Sequence, residues 1–423
     1  MRDLLPEDAE MMRYVEMVSR TISKLYSYEE IITPVLESYE LLAAKTSEEI
    51  RERMYTFKDL GGRKVAMRPE FTASVARLVV NRLKNEPKPM RLFSVGSLYR
   101  YDEPQYGRFR EFWQANFELF GSERPEADAE ILILTNNILK KLGLKDYRFK
   151  IGHTGILRGI LTKEGLDELQ QNSVRQLLDK KLWGDALTVA REAGVSQKGL
   201  DVLESLLETK GEDAFQVLSQ IRDCIKDYDD ALEAVDNLWR ILEQIRDSRE
   251  QLEIMIEAGF ARGLEYYTGM IFESYVPGLD IALGGGGRYD KLIELFGGEP
   301  IPAVGVAQGI DRIVMALTKQ EATQLTAKAN SVAVISVKEQ CMAKALELST
   351  MLRNKGLAVE LAVMGRNIRS ALSDANRRNV AYAVIVGPKE LKEEKVVLRE
   401  MKKGTQQTVL ITGLAEAILS GSM

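Results

Sequence analysis

Arg262-Gly-Leu-Glu-Tyr-Tyr-Thr-Gly269, the apolar run Met270 to Val276 behind it, and Gly284-Gly-Gly-Gly-Arg-Tyr-Asp290 decide how the rest of the chain is read. Together they supply a fixed cation, two adjacent rings with hydroxyl tips, and a glycine backbone that a ligand can approach closely. Those are the parts of a wall around a polar small molecule. The same residues also fit a strand, a glycine turn and a second strand with no chemistry attached, because glycine-rich hairpins are common. The glycines at 284–287 lack the strand-to-helix context of a dinucleotide fingerprint, and no Gly-x-x-x-x-Gly-Lys-Ser/Thr phosphate loop occurs in the chain.

Working outward, Arg91 to Arg100 and Phe109 to Phe120 read as two strands joined by a charged loop at 101–108, an antiparallel pair. Lys64 to Ala73 reads as a strand running into a helix through Val75, Leu78 and Val79. Met11, Tyr14, Val15, Val18, Ile22 and Leu25 recur at helical spacing over residues 8–26, before the strand Glu30-Ile-Ile-Thr and its stop at Pro34. From Glu126 to Val276 there is no proline and mostly helical periodicity, with Leu232, Val235, Leu238, Leu242 and Ile245 on one face; a helical insertion is expected over about 158–250. Ala303 to Arg312 passes from a strand into the helix Ile313 to Lys319, and polar residues 320–330 read as a linker. Beyond it, apolar strands at Val332, Ala358 and Ala381 alternate with helices, the pattern of a small, mostly parallel α/β domain over 331–423. Residues 1–320 instead indicate an α+β domain, an antiparallel sheet flanked by helices.

With 423 residues, 45% hydrophobic and 29% charged, the chain is long enough for two or three domains with buried cores. No apolar run approaches the roughly 18 residues of a membrane span, and the start, Met1-Arg-Asp-Leu-Leu-Pro, is charged where a signal peptide needs an apolar core. A cytoplasmic protein with no membrane association is expected. Cys224 and Cys341 have no partner spacing, and the sole histidine, His153, cannot build a two-histidine metal site, so it is read as structural and no metal ligands are assigned. Net charge is −5, unevenly spread: from Ser331 onward 14 Lys and Arg face 9 Asp and Glu, a local +5 that leaves −10 on the remainder. The C-terminal piece is therefore the better candidate for a phosphate-backbone contact.

Arg100, Arg108, Arg110, Arg262, Arg288 and Arg312 all fall at strand ends or in glycine-rich segments, more buried cations than stability requires. They point to phosphates, bound by arginines on an antiparallel sheet. The combination resembles class II aminoacyl-tRNA synthetases, and Arg262 to Tyr267 with Gly286-Gly-Arg-Tyr-Asp290 resembles the signature of histidyl-tRNA synthetases. Arg100, Arg108 and Phe112 to Glu118 resemble that class's second motif, Gly309-Ile-Asp-Arg312 its third, and the segment after Ser331 the class IIa anticodon-binding domain.

The resemblance implies a ligase that activates L-histidine with ATP and passes it to tRNA(His), with Mg2+ accompanying ATP. It implies a homodimer formed around Glu29 to Glu37. It assigns Arg100 and Arg262 to catalysis, Arg100, Arg108 and Arg312 to ATP, and Glu70, Thr72, Gln114, Glu118, Arg262, Tyr266 and Tyr267 to histidine. Several positions depart from the family pattern: Asp102 stands where Glu is usual, Glu103 for Arg, Trp113 for His, and Glu265 for Asp. Two other readings stay open at this point. One is a catalytically silent relative serving as a histidine-sensing regulatory subunit of histidine biosynthesis, and the other a synthetase for threonine, proline or glycine.

Overall fold

The first helix, Pro6–Leu25, starts on a proline whose missing N–H is one the helix leaves unpaired anyway, and it buries Met11, Val15, Val18 and Ile22 along one side. The structure is a computed structural model that describes residues 1–43, 48–103, 106–260, 266–279, 281–322 and 331–420. The chain divides into two units, Met1–Thr323 and Gln324–Met423.

In the first unit the strands are β1 (Glu29–Glu30), β2 (Leu36–Ser38), β3 (Thr56–Lys58), β4 (Lys64–Met67), β5 (Met90–Tyr99), β6 (Glu111–Phe120), β7 (Arg148–His153), β8 (Lys210–Gly211), β9 (Ile254–Glu257), β10 (Met270–Tyr275), β11 (Ala282–Arg288) and β12 (Ala303–Gly309). Nine of them form one sheet in the order β1-β5-β6-β12-β11-β10-β7-β9-β8, while β2, β4 and β3 form a separate small sheet. The run from β5 to β7 is antiparallel throughout. β6 is paired along its whole length, from Tyr99 opposite Glu111 to Met90 opposite Phe120, and on its other edge from Gln114 to Phe120 with β12. Its residues alternate as the pleat requires: Ala115, Phe117 and Leu119 bury into one face, with the Phe117 ring 4.7 Å from Phe93, while Gln114, Asn116 and Glu118 share the other.

Two local readings change. The strand expected from Glu30 to Thr33 is a strand only at Glu29–Glu30, with one further bond from the Ile31 N–H to Phe93 O; beyond it the Arg68 guanidinium donates to Thr33 O at 2.7 Å and to Pro34 O at 3.4 Å. The glycines of 284–287 are not a turn but the middle of β11. Packing against β12 demands glycine there, since a Cβ on Gly284 would lie 2.8 Å from Ala307 O.

Between β7 and β9 the chain is almost wholly helical, beginning with Thr154–Lys163 and ending with Asp229–Asp247, which pack together. The last of these buries Val235, Leu238, Leu242 and Ile245. His153 caps the first: its Nδ1 accepts the Gly155 N–H at 3.0 Å, and burial pushes its pKa down to about 4, leaving a neutral ring in a structural position.

The second unit carries β13 (Ser331–Ser336), β14 (Ala358–Leu361), β15 (Tyr382–Val386), β16 (Lys395–Glu400) and β17 (Gln406–Leu410), in the order β14-β13-β15-β16-β17. The first three strands are parallel, as the alternation with helices predicts; β16 and β17 add an antiparallel pair. The helix Ile368–Arg377 opens on Asn367, whose side chain accepts the Ser370 N–H at 3.0 Å. Part of the basic charge is internally matched, since Arg366, Arg377 and Arg378 all pair with Asp374.

Candidate active site

The polar face of β6 floors a cavity of about 360 Å³. Strand alternation sets Gln114, Asn116 and Glu118 along it, and Gly305, opposite Glu118 on β12, leaves the room that the carboxylate occupies: a Cβ there would overlap Glu118 Oε2. From the end of β4 the chain enters the helix Thr72–Leu78, bringing Glu70 and Thr72 over the same floor. Tyr266 and Tyr267 close the side, ring centroids 5.0 Å apart, with Tyr289 5.6 Å from Tyr266.

At this end the chemistry is acidic and dry. Glu118 Oε1 accepts from Thr72 Oγ1 at 2.8 Å and from Asn116 Nδ2 at 2.6 Å, whereas Oε2 is buried with no hydrogen-bond partner among the described residues. Burial raises the Glu118 pKa to about 8; the two hydrogen bonds oppose the shift and the negative charge of Glu70 adds to it. Burial also raises Glu70, against the nearby Arg100 charge, and Glu70 Oε2 accepts from the Tyr266 hydroxyl at 3.4 Å. A buried carboxyl oxygen without a partner costs free energy, and a ligand ring nitrogen that pairs with it repays the cost.

The opposite end is cationic. Arg100 Nε donates to Pro69 O at 2.9 Å while its guanidinium lies 5.3 Å from the Phe112 ring centre. Arg312 is set by Gly107 O, at 3.1 Å from Nε, and by Ala282 O, at 3.0 Å from Nη1. Arg108 is exposed at the rim. Each is a planar guanidinium whose five N–H donors suit phosphate or carboxylate oxygens.

The cavity therefore gathers Glu70, Thr72, Arg100, Arg108, Gln114, Glu118, Tyr266, Tyr267 and Arg312. Arg262 lies outside the described residues, as does Glu265. Two arginines grouped with the phosphate ligands are used elsewhere. Arg288 is buried, pairing with Asp128 at 2.7 Å and Asp290 at 3.0 Å and donating to Ser122 O at 2.8 Å, so β11 turns it into the fold. Arg110 stacks on Tyr101 at 4.0 Å and donates to Asp102 O at 3.3 Å, bracing the loop. Sequence reasoning missed Asn116, although its alternation with Gln114 and Glu118 was the available signal. It also missed Gly305, which carried none.

Residues 1–313 match the family described as histidyl-tRNA synthetase, and residues 331–420 match the anticodon binding domain. The histidine–tRNA ligase of Methanocaldococcus jannaschii is 42% identical over 415 residues, covering 98% of this chain and 97% of the relative. That of Saccharolobus solfataricus is 36% identical over 423 residues, covering 99% and 97%. Among solved structures, one titled as an ATP phosphoribosyltransferase regulatory subunit/histidyl-tRNA synthetase from Bacillus halodurans C is similar with a TM-score of 0.77 at 26% identity, covering 92% of this chain and 96% of that one. Apo histidyl-tRNA synthetase of S. aureus follows with 0.71 at 25% identity, covering 99% and 98%. A catalytic domain, an anticodon-binding domain and full-length ligase relatives leave one conclusion: the chain belongs to the histidyl-tRNA synthetase family and is an aminoacyl-tRNA synthetase that charges tRNA with histidine at the expense of ATP.

Proposed function

We propose that histidine is activated along the floor of β6, its ring against Glu118 and its carboxylate towards Arg100. The observation that carries this reading is the unpaired, buried Oε2 of Glu118 at one end of a cavity whose other end holds arginines. Neutral imidazole offers one N–H donor and one acceptor nitrogen; Glu118 takes the donor, and a phenol hydroxyl of Tyr266 or Tyr267 supplies the acceptor. Glu70, Thr72 and Gln114 hold the α-amino group.

A carboxylate oxygen of histidine attacks the α-phosphorus of ATP, the bond to the bridging oxygen breaks, and pyrophosphate leaves. The negative charge that builds at the α-phosphate falls to Arg100 and to Arg262, the latter by resemblance alone; fixed guanidinium groups stabilise it without rearranging. Arg108 and Arg312 bind the distal phosphates. A terminal ribose hydroxyl of tRNA(His) then attacks the histidyl carbonyl and AMP departs. Mg2+ accompanies ATP as part of the substrate, balancing the charge of its phosphates.

Exposed apolar side chains support pairing of two copies through the β1–β4 region: Ile32 is 90% exposed, Leu36 48% and Phe57 45%. Sedimentation of Ile32→Asp tests this, a monomer being expected. The free thiols Cys224 and Cys341 fit a reducing cytoplasm, and among the described residues no helix is long and apolar enough to cross a membrane.

ATP–pyrophosphate exchange tests the site. Glu118→Leu should lose histidine activation far more than Glu118→Gln, which still offers an acceptor, and both should spare KM for ATP; Arg100→Ala should lower kcat or raise KM for ATP. Leu and Gln variants that both keep wild-type histidine kinetics remove Glu118 from ring recognition.

A further inference from the structure

The start of the chain reaches the nucleotide end of the cavity from behind. Arg2 Nη2 lies 2.5 Å from Asp311 Oδ1, and the Arg2 guanidinium sits 3.6 Å over the centre of the Phe109 ring. Asp311 Oδ2 accepts the Trp113 backbone N–H at 2.6 Å, so one carboxylate joins the chain start, the returning strand β6 and the helix Ile310–Lys319. Burial works to raise the Asp311 pKa, and the Trp113 N–H and Arg2 oppose it. Phe109, Trp113, Asp311 and Arg312 all line the cavity, whereas Arg2 lines a second one, of about 320 Å³, that shares Asp311 as its wall. Next in sequence to Asp311, Arg312 is itself fastened to the loop through Gly107 O.

We propose that Arg2 is a positioning residue for the nucleotide end of the active site: its ion pair with Asp311 and its stack on Phe109 hold the close of the 101–108 loop and the start of the Arg312 helix in one arrangement. The inference rests on the reading that Arg312 binds ATP. Without Arg2, Asp311 keeps only backbone N–H donors, those of Trp113 and of Asp311 itself, for a residue that is 4% exposed, and the loss of its one cationic partner favours local rearrangement. Phe109 loses the flat cation covering it. Both changes fall on the segments that set Arg108 and Arg312. They fall far from the ring end, because Trp113 and Glu118 are five residues apart on an extended strand, roughly 17 Å. A purely structural arginine would instead lower stability and disturb both substrates alike.

The test is ATP–pyrophosphate exchange with the full chain as wild type, Arg2→Ala, Arg2→Lys and Arg312→Ala, measuring KM for ATP and for histidine beside the melting midpoint. Arg2→Ala is expected to raise KM for ATP about fivefold, with KM for histidine and the midpoint near wild type; Arg2→Lys, which keeps the ion pair and loses the stack, should fall between. Unchanged KM for ATP in Arg2→Ala overturns the inference, as does a parallel rise in both KM values. A Lys variant no better than Ala overturns the part given to the ion pair. If Arg312→Ala raises KM for ATP and Arg2→Ala does not, the inference alone fails; if Arg312→Ala leaves KM for ATP unchanged, the reading of Arg312 fails and takes this inference with it.

Discussion

The two ends of the cavity are built on opposite principles. The ring end presents carboxylates that are almost wholly removed from water, Glu118 at 2% exposure and Glu70 at 9%, with hydrogen bonds counted out so that one oxygen stays unpaired. The cationic end presents Arg100 and Arg312, half-exposed and anchored by one or two backbone carbonyls, and Arg108, exposed at the rim. A dry acceptor discriminates, because a ligand lacking the matching N–H leaves a buried group unsatisfied. A wet cation attracts any phosphate and is screened by salt. In the proposed binding mode, selectivity for the amino acid therefore resides at the acidic end, and affinity for the shared substrate at the basic one.

The sharpest way to break this contrast is Glu118→Leu, which strands the Thr72 and Asn116 donors and removes the ring acceptor. At roughly 1–3 kcal/mol for each unpaired buried group, kcat/KM for histidine should fall about a hundred- to a thousandfold while KM for ATP stays put; a comparable loss in ATP binding would show that the ends are not separate. Next comes Gly305→Ala, whose methyl would overlap the Glu118 carboxylate and crowd Phe117 O while removing no polar group. A loss in histidine activation of about ten- to a hundredfold is expected, on the scale of 1–3 kcal/mol for overpacking, and wild-type histidine kinetics would mean that Glu118 can move freely.

Arg108→Ala probes the wet end. An exposed cation is worth roughly 0.2–1 kcal/mol, so KM for ATP should rise only about two- to fivefold, with the difference from wild type shrinking in high salt. A salt-independent hundredfold loss would make the rim as dry as the ring pocket. The last test reads stability rather than kinetics. Because the folded-state pKa of Glu118 is raised from 4.5 to about 8, its protonated form favours the fold; that contribution is fully present below pH 4.5 and is lost as pH rises through about 8. Glu118→Gln cannot ionise, so without substrates its melting temperature relative to wild type should climb between pH 4.5 and 8 and level off above. His153 is common to both proteins and cancels. A flat difference would mean that the Glu118 carboxyl is not held neutral.

Much of this site could be read from the chain, and the reasons it could are local. Gln114 and Glu118 share a strand face by parity, and the charged loop between two apolar runs marks β5 and β6 without tertiary knowledge. What escaped depends on contacts between distant segments. Arg288 looks the same in sequence as a phosphate ligand until the helix Pro125–Lys141 delivers Asp128 to it. The strand after Glu30 was cut short by Arg68, a residue more than thirty positions away. The glycines of β11 read as a turn because the need for them lies in the backbone of β12, and β16 with β17 went unread beside stronger parallel strands. Parity and periodicity report what a segment does to itself; the assignment of an arginine depends on who arrives next to it.

β6 is an interior strand of the sheet at the site, bonded on one edge along ten residues to β5 and on the other to β12. Its amides are expected to exchange with solvent only when the whole unit opens, since no fraying edge is available to them. Glu118, the residue proposed to read the ring, thus sits in a part of the unit expected to loosen late on heating. Mischarging and melting should then set in together, leaving no interval of temperature in which the enzyme is folded and careless.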